Sequence, residues 1–249
     1  MIVTNEIVCR LPENSRVKIV GLGGIGCWLL PPLALFLRNL RQPVRLTLID
    51  GDAFDPIGNA SRMLFQSAGN KAEVKAGETI ALLGSCDVSV VAVPEYIAPG
   101  NIEGLIKDGD IVFLCVDNHP TRKLVSDHCV GLPNALVVSG GNEGVDPPRE
   151  RGTYGSVQVA LRQAGKDRTA PLTKYHPEIA DPKGKLPTEM DCIELAQAKP
   201  QIHVTNHAVA SAMLSAFFAC TCGRLGYGEV KLDVLEARML PQFPVDPAH

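Results

Sequence analysis

The chain is poor in the features that mark several functional classes. Aromatic residues make up 5% of its 249 positions, with one tryptophan, and the formal net charge is −3. No basic run and no basic stripe interleaved with aromatics occurs, so no nucleic-acid partner is expected. No uninterrupted apolar segment is long enough to span a bilayer. The Cys27 to Leu40 segment comes nearest and is broken by Pro31, Pro32, Arg38 and Asn39. The opening Met-Ile-Val-Thr-Asn-Glu has no charged region leading into a signal-type apolar stretch. A soluble, cytoplasmic protein with no membrane partner is therefore expected. Eight cysteines without a signal segment point to free thiols rather than a disulfide framework. None forms a C-x-x-C pair, Cys220-Thr-Cys222 being the nearest spacing, so no structural zinc is expected. His203 and His207, four apart on an expected helix, lack a third ligand and read as surface or packing residues, as does His128-Cys129. Cys27 and Cys115 fall in apolar elements and read as buried and inert.

What is present points to a nucleotide. The run Val17-Lys-Ile-Val-Gly-Leu-Gly-Gly-Ile-Gly26 carries an apolar strand into glycines spaced G-x-G-x-x-G. Gly21 suits the tight turn, Gly23 and Gly24 the approach of backbone N–H groups to a phosphate, and Gly26 the packing of a following helix on the strand. That helix would aim its unpaired N–H groups at the anion. A second strand, Val44 to Asp50, ends in Asp50 and Asp52, where a Rossmann-type unit places a carboxylate for a ribose hydroxyl. Further strands are expected near 87–93, 110–116 and 135–139, with helices after the glycine loop, over about 71–83 and over about 119–131. Pro31 and Pro32 predict a kink or restart in the first helix. The second half predicts a strand over 156–161, a long irregular crossover from Arg162 to Met190, an apolar helix over 204–220 and a last strand near 230–235. Ala208 to Ala219 suits either a subunit interface or a buried core helix. The fold class is therefore α/β: a Rossmann-like three-layer fold with a mainly parallel sheet and a long crossover loop in the C-terminal half. With 45% hydrophobic residues and no repeat or linker, residues 1–249 read as one domain.

After the second strand the chain reads Asp50-Gly-Asp-Ala-Phe-Asp-Pro-Ile-Gly-Asn59-Ala-Ser-Arg62, then Lys71-Ala-Glu-Val-Lys75, then Cys115-Val-Asp117-Asn118. This succession resembles the ThiF/MoeB superfamily of ATP-dependent activators, related to the adenylation domains of ubiquitin-activating enzymes. Five elements of that pattern occur in order over residues 17–118. Met63 stands where the family usually has Gln, and the loop between Arg62 and the lysine is short. Lys71 matches the K-A-E-V context, whereas Lys75 fits the spacing. The resemblance implies a nucleotide-binding half (1–140), a substrate and crossover half (141–249), ATP with Mg²⁺, a homodimer, and a ubiquitin-like protein or peptide whose free C-terminus is activated as an acyl adenylate.

Attack of a carboxylate on the α-phosphate of ATP builds negative charge, so positioned cations matter most. Arg62 and Lys71 are the candidates. Asp117, at the end of an apolar strand, is the candidate Mg²⁺ ligand. Asn59 would orient phosphate or the attacking carboxylate, Asp50 the ribose, and Asn118 either contacts the site or caps a helix. Cys192, at an expected helix start after the crossover, is either inert or the acceptor of a thioester, as in the ubiquitin-activating branch. The missing C-x-x-C pairs and this cysteine favour the divergent bacterial ThiF proteins, including those of the PRTRC system. An NAD(P)-dependent oxidoreductase would share the glycine fingerprint and Asp50 but leave the N-x-x-R and lysine elements without a role. A nucleotide-binding scaffold without turnover is the third reading.

Overall fold

The structure is a computed structural model, and it describes residues 8–56, 63–146, 150–190 and 201–242. The first half alternates strands and helices. In order these are β1 (Ser15–Val20), α1 (Gly26–Asn39), β2 (Val44–Ile49), the short strands β3 (Ala53–Phe54) and β4 (Gly69–Asn70), and α2 (Lys71–Leu83). They are followed by β5 (Val88–Val93), the short helix α3 (Ile102–Leu105), β6 (Ile111–Leu114), α4 (His119–Val130) and β7 (Ala135–Asn142). In the second half, β8 (Val145–Asp146), β9 (Glu150–Arg151), β10 (Tyr154–Gln163) and β11 (Lys166–Asp167) precede the short helix α5 (Pro177–Ala180). Helix α6 (His203–Thr221), β12 (Glu229–Asp233) and β13 (Arg238–Gln242) complete the described chain.

The main sheet runs β13-β12-β10-β7-β6-β1-β2-β5, with β11 paired to β10. The five strands from β7 to β5 are parallel, and β10, β12 and β13 extend the sheet antiparallel. Parallel strands are covered on both faces and so carry near-continuous apolar runs. Successive residues accordingly feed two cores. Val17 and Ile19 enter a cluster with Leu33, Leu37, Val209 and Phe217 under α1, α2 and α6, while Val20 enters the opposite cluster with Val125 of α4 and Ile179 of α5. The expected three-layer, Rossmann-like, mainly parallel α/β fold is what forms. Much of the expected crossover, from Arg168 to Met190, is irregular apart from α5 and a short turn at Pro187–Glu189.

Helix α1 runs through Pro31 and Pro32 without restarting. The prolines lie on its outer side while Leu29, Leu30, Leu33 and Leu37 are fully buried, and that packing offsets the missing hydrogen bonds. The start of the crossover is a tight hairpin. Ala164 (φ 49°) and Gly165 (φ 75°) are both left-handed, as a two-residue primed turn requires. Helix α6 buries Val209, Met213, Ala216 and Phe217 against the sheet and α1, so the apolar segment 208–219 serves the core, while Phe218 on its outer side is exposed.

Candidate functional site

The strand order reverses at β1: the chain moves out to β2 and β5, then returns to β6 on the other side of β1. Ligands of open α/β sheets bind in the crevice outside the carboxyl ends of the strands at such a point. A cavity of about 680 Å³ lies there. The glycine loop after β1, the ends of β2 and β6, and crossover residues Lys183, Pro187 and Met190 line it.

The loop is shaped by close approach. Gly21 has φ +88° and its N–H donates to Ile49 O at 2.9 Å. At Gly26 a Cβ would come within 2.0 Å of Gly21 O, so only glycine lets α1 start against the strand. Around Gly23 the space is open: a Cβ there would meet only Met63 Cε, at 3.7 Å. Gly24 is backed by Asn206 of α6. Asn206 accepts from Asn142 Nδ2 at 2.6 Å and donates to Gln201 Oε1 at 3.3 Å.

Asp50 is buried at the end of β2. Its Oδ2 accepts from Leu22 N at 2.6 Å and its Oδ1 from Asp52 N at 2.9 Å. Burial pushes its carboxyl up from the ordinary value, against the pull of Lys71. It lines the cavity, but Oδ2 already braces the glycine loop and Oδ1 the turn after β2. Asp52 also lines the cavity. It receives the Lys71 ammonium at 2.8 Å and the Tyr96 hydroxyl, and burial beside that carboxylate raises the Tyr96 phenol. Lys71 is itself buried and lies outside the lining, paired with Asp52. Lys75, one turn on, pairs with Glu78 at 2.6 Å and lies over the Phe65 ring, outside the lining.

Asp117 follows β6 on the cavity wall and is exposed. Asn118 accepts from Thr121 N at 2.9 Å and so caps α4, while also lining the cavity. One turn into α4, Thr121 Oγ1 is buried on the lining with no hydrogen-bond partner among the described residues. A buried polar atom left unpaired in a cavity suits a ligand. Arg122 donates to Val116 O at 3.2 and 2.9 Å and to Gly140 O at 2.8 Å, and burial pushes its guanidinium below the ordinary value against the pull of Asp117.

Asn59, Arg62 and Cys192 lie outside the described residues. Met63, next in the chain to Arg62, lines the cavity, and Cys27 Sγ accepts from Leu64 N at 3.3 Å. Cys27 thus pins this segment to the loop in addition to filling space. Burial raises its thiol. Cys115 is buried behind Gly21, as expected. His203 and His207 flank the Trp28 ring, 6.0 and 5.2 Å away by ring centroids. Among the described residues no group of three or more His, Cys, Asp or Glu is placed to hold a metal ion. No described helix is long and apolar enough to cross a membrane.

Sequence reasoning missed Tyr96, Arg122, Lys183 and the Asn142–Asn206–Gln201 chain. Arg122 alone carried a signal, a basic residue one turn after Asp117-Asn118.

The ThiF family model matches residues 9–239. The chain belongs to the ThiF family. It is 37% identical over 125 residues to the adenylyltransferase and sulfurtransferase uba4 of Aspergillus fumigatus, a match that spans 49% of this chain and 24% of that protein. To the adenylyltransferase and sulfurtransferase MOCS3 of Mus musculus it is 36% identical over 125 residues, 49% of this chain and 26% of that one. The chain therefore spans about a quarter of these curated relatives. E. coli MccB, solved with ATP, has the same fold with a TM-score of 0.65 at 19% identity, covering 93% of this chain and 64% of that one. PaaA superposes with a TM-score of 0.63 at 17% identity, covering 92% and 72%. Of the described residues in the ThiF motifs, the glycine loop, Asp50, Asp52, Asp117 and Asn118 line the cavity and Lys71 does not.

Proposed function

We propose that the chain is an ATP-dependent adenylyltransferase that activates the C-terminal carboxylate of a ubiquitin-like protein or peptide. The observation that carries this reading is the crevice between β1 and β6. There the open backbone at Gly23 faces the Asp117-Asn118 turn across a cavity large enough for a nucleotide. A carboxylate oxygen attacks the α-phosphorus, the bond to the bridging oxygen breaks, and pyrophosphate leaves with the electron pair.

Charge supports the need for a divalent cation. Asp50, Asp52, Glu95 and Asp117 line the cavity, against Arg122 and Lys183 among the described cations. Arg122 Nε and Nη2 are already engaged, donating to the carbonyl oxygens of Val116 and Gly140. A triphosphate in such a site needs further positive charge. Mg²⁺, when bound, neutralises phosphate oxygens and needs only one or two carboxylates besides them. Asp117, with hard oxygens on the cavity wall, fits that ligand. Arg62 and Lys183 supply cations to the phosphates, Asn59 and Thr121 orient them, and Lys71 acts by holding Asp52. Asp50 braces the loop, and a further acceptor contact from it to the ribose completes the nucleotide site.

Support for the substrate class comes from relatives: MccB has been solved with ATP and with MccA, and uba4 and MOCS3 are named as adenylyltransferases. A cytoplasmic homodimer and a thioester on Cys192 belong to the same proposal. The test is exchange of labelled pyrophosphate into ATP in the presence of peptides and ubiquitin-like proteins with free C-termini. Asp117→Ala abolishes exchange with an unchanged circular dichroism spectrum, and Cys192→Ala leaves exchange intact. Exchange that survives Asp117→Ala contradicts the assignment.

A further inference from the structure

Cys9 and Cys222 are 213 positions apart in the chain, yet their sulfur atoms lie 3.4 Å apart. The backbones beside them are already joined, since Arg10 N donates to Thr221 O at 2.9 Å. Leu11 packs on the core, and its carbonyl and that of Pro12 accept from Gln42 Nε2, at 3.4 and 3.3 Å. Both cysteines are half-buried, so a small molecule can reach them. The other described cysteines differ: Cys27, Cys115 and Cys129 are buried, burial pushes the Cys220 thiol up to about 12, and Cys86 is exposed just beyond α2. The pair sits at the end of α6, beside the cavity under the first residues of β1 and β6, lined by Arg10, Ser15, Ile111 and Thr221. That is the opposite end of the sheet from the nucleotide crevice.

We propose that Cys9 and Cys222 form a thiol–disulfide exchange site whose substrate is a low-molecular-weight disulfide, and that its oxidised form staples the N-terminal segment to the end of α6. The geometry calls for little movement, because a disulfide needs its sulfurs to close to about 2.0 Å from a contact that already exists. One thiol loses its proton and its thiolate attacks a sulfur of the small disulfide. The first small thiolate leaves and takes up a proton, giving a mixed disulfide. The second protein thiol, deprotonated in turn, attacks the protein sulfur of that bond and releases the second small thiol. Two protein thiols are oxidised and one small disulfide is reduced to two thiols. Burial and the neighbouring Cys222 raise the Cys9 thiol.

The test uses the full chain, reduced, desalted and incubated with oxidised glutathione. Intact mass is then measured, with non-reducing peptide mapping. The expected result is a protein lighter by two hydrogens, a Cys9–Cys222 cross-linked peptide, and reversal by dithiothreitol. Cys9→Ser should stop at a glutathione adduct on Cys222, and Cys222→Ser should form no cross-link through Cys9. An unchanged wild-type mass, an adduct on the wild type that is never resolved, or a cross-link through other cysteines overturns the proposal. Pyrophosphate exchange plays no part in the readout, so failure here is distinct from failure of the adenylation reading.

Discussion

The Arg122 guanidinium donates to Gly140 O at 2.8 Å and to Val116 O at 2.9 Å, which ties the end of β7 to the turn that presents Asp117. A buried cation that donates to carbonyl oxygens of two segments holds backbone in place. Replacing it with Leu leaves those carbonyls unpaired and should destabilise the protein by about 3 kcal/mol, read from urea unfolding. Arg122→Lys, which keeps the charge and loses the planar fork, should recover less than half of that. A loss within about 0.5 kcal/mol for Arg122→Leu would show that the guanidinium holds nothing.

Two glycines of the same loop should separate folding from binding. Gly26→Ala puts a Cβ 2.0 Å from Gly21 O and should cost at least ~3 kcal/mol. At Gly23 the added methyl meets only Met63 Cε at 3.7 Å, so Gly23→Ala should unfold within about 1 kcal/mol of wild type. It should weaken ATP binding by crowding the phosphate path. Thermal unfolding with and without ATP checks both.

His176 links α5 to the sheet. Its Nδ1 faces Glu178 at 2.8 Å and its Nε2 faces Glu229 at 3.5 Å. Glu229 chiefly, then Glu178, raise its pKa above 6.5, against burial. A histidine raised in the folded state contributes stability that is fully present below its unfolded value. That contribution is lost as pH rises through the folded value. Cleavage of the crossover by a protease with flat pH dependence should therefore quicken as pH rises from 6 to 8.5. His176→Gln should cleave at a rate that no longer changes over that range.

The Lys71–Asp52 pair joins a buried ammonium to a carboxylate whose side chain is 41% exposed. Discounted for that exposure, Asp52→Asn should cost about 1–2 kcal/mol. The cycle with Lys71→Met should show a coupling of about 1 kcal/mol. Lys75→Met should show no coupling to Asp52→Asn, since Lys75 pairs with Glu78 instead.

The parts of the site that could be read from the sequence are those built within a few residues. Gly21 to Gly26, Asp50 and Asp117 each sit at a strand end, where an apolar run followed by glycine or acid is visible locally. Asn118 left two readings, cap or ligand contact, and its geometry allows both. Lys71 and Lys75 could not be separated, because residues four apart share a helix face and only the neighbours, Asp52 and Glu78, tell them apart. Tyr96, Gln201 and Lys183 reach the cavity from distant elements, and no local pattern announces them. The hairpin at Ala164-Gly165 was hidden because alanine is uncommon at a left-handed turn position. Strand β13 was hidden because its five residues are all exposed and so show no apolar alternation.

The proposed ligand of this ThiF-family crevice is a nucleoside triphosphate with Mg²⁺. Calorimetric titration of the full chain with ATP plus Mg²⁺ and, separately, with NAD⁺ tests it most directly. Saturable ATP binding is expected, weakened at least tenfold by Arg62→Ala and by Asp117→Ala, a loss of about 1.4 kcal/mol or more, with no heat from NAD⁺. Binding of NAD⁺ in preference to ATP, or ATP binding indifferent to both substitutions, would contradict it.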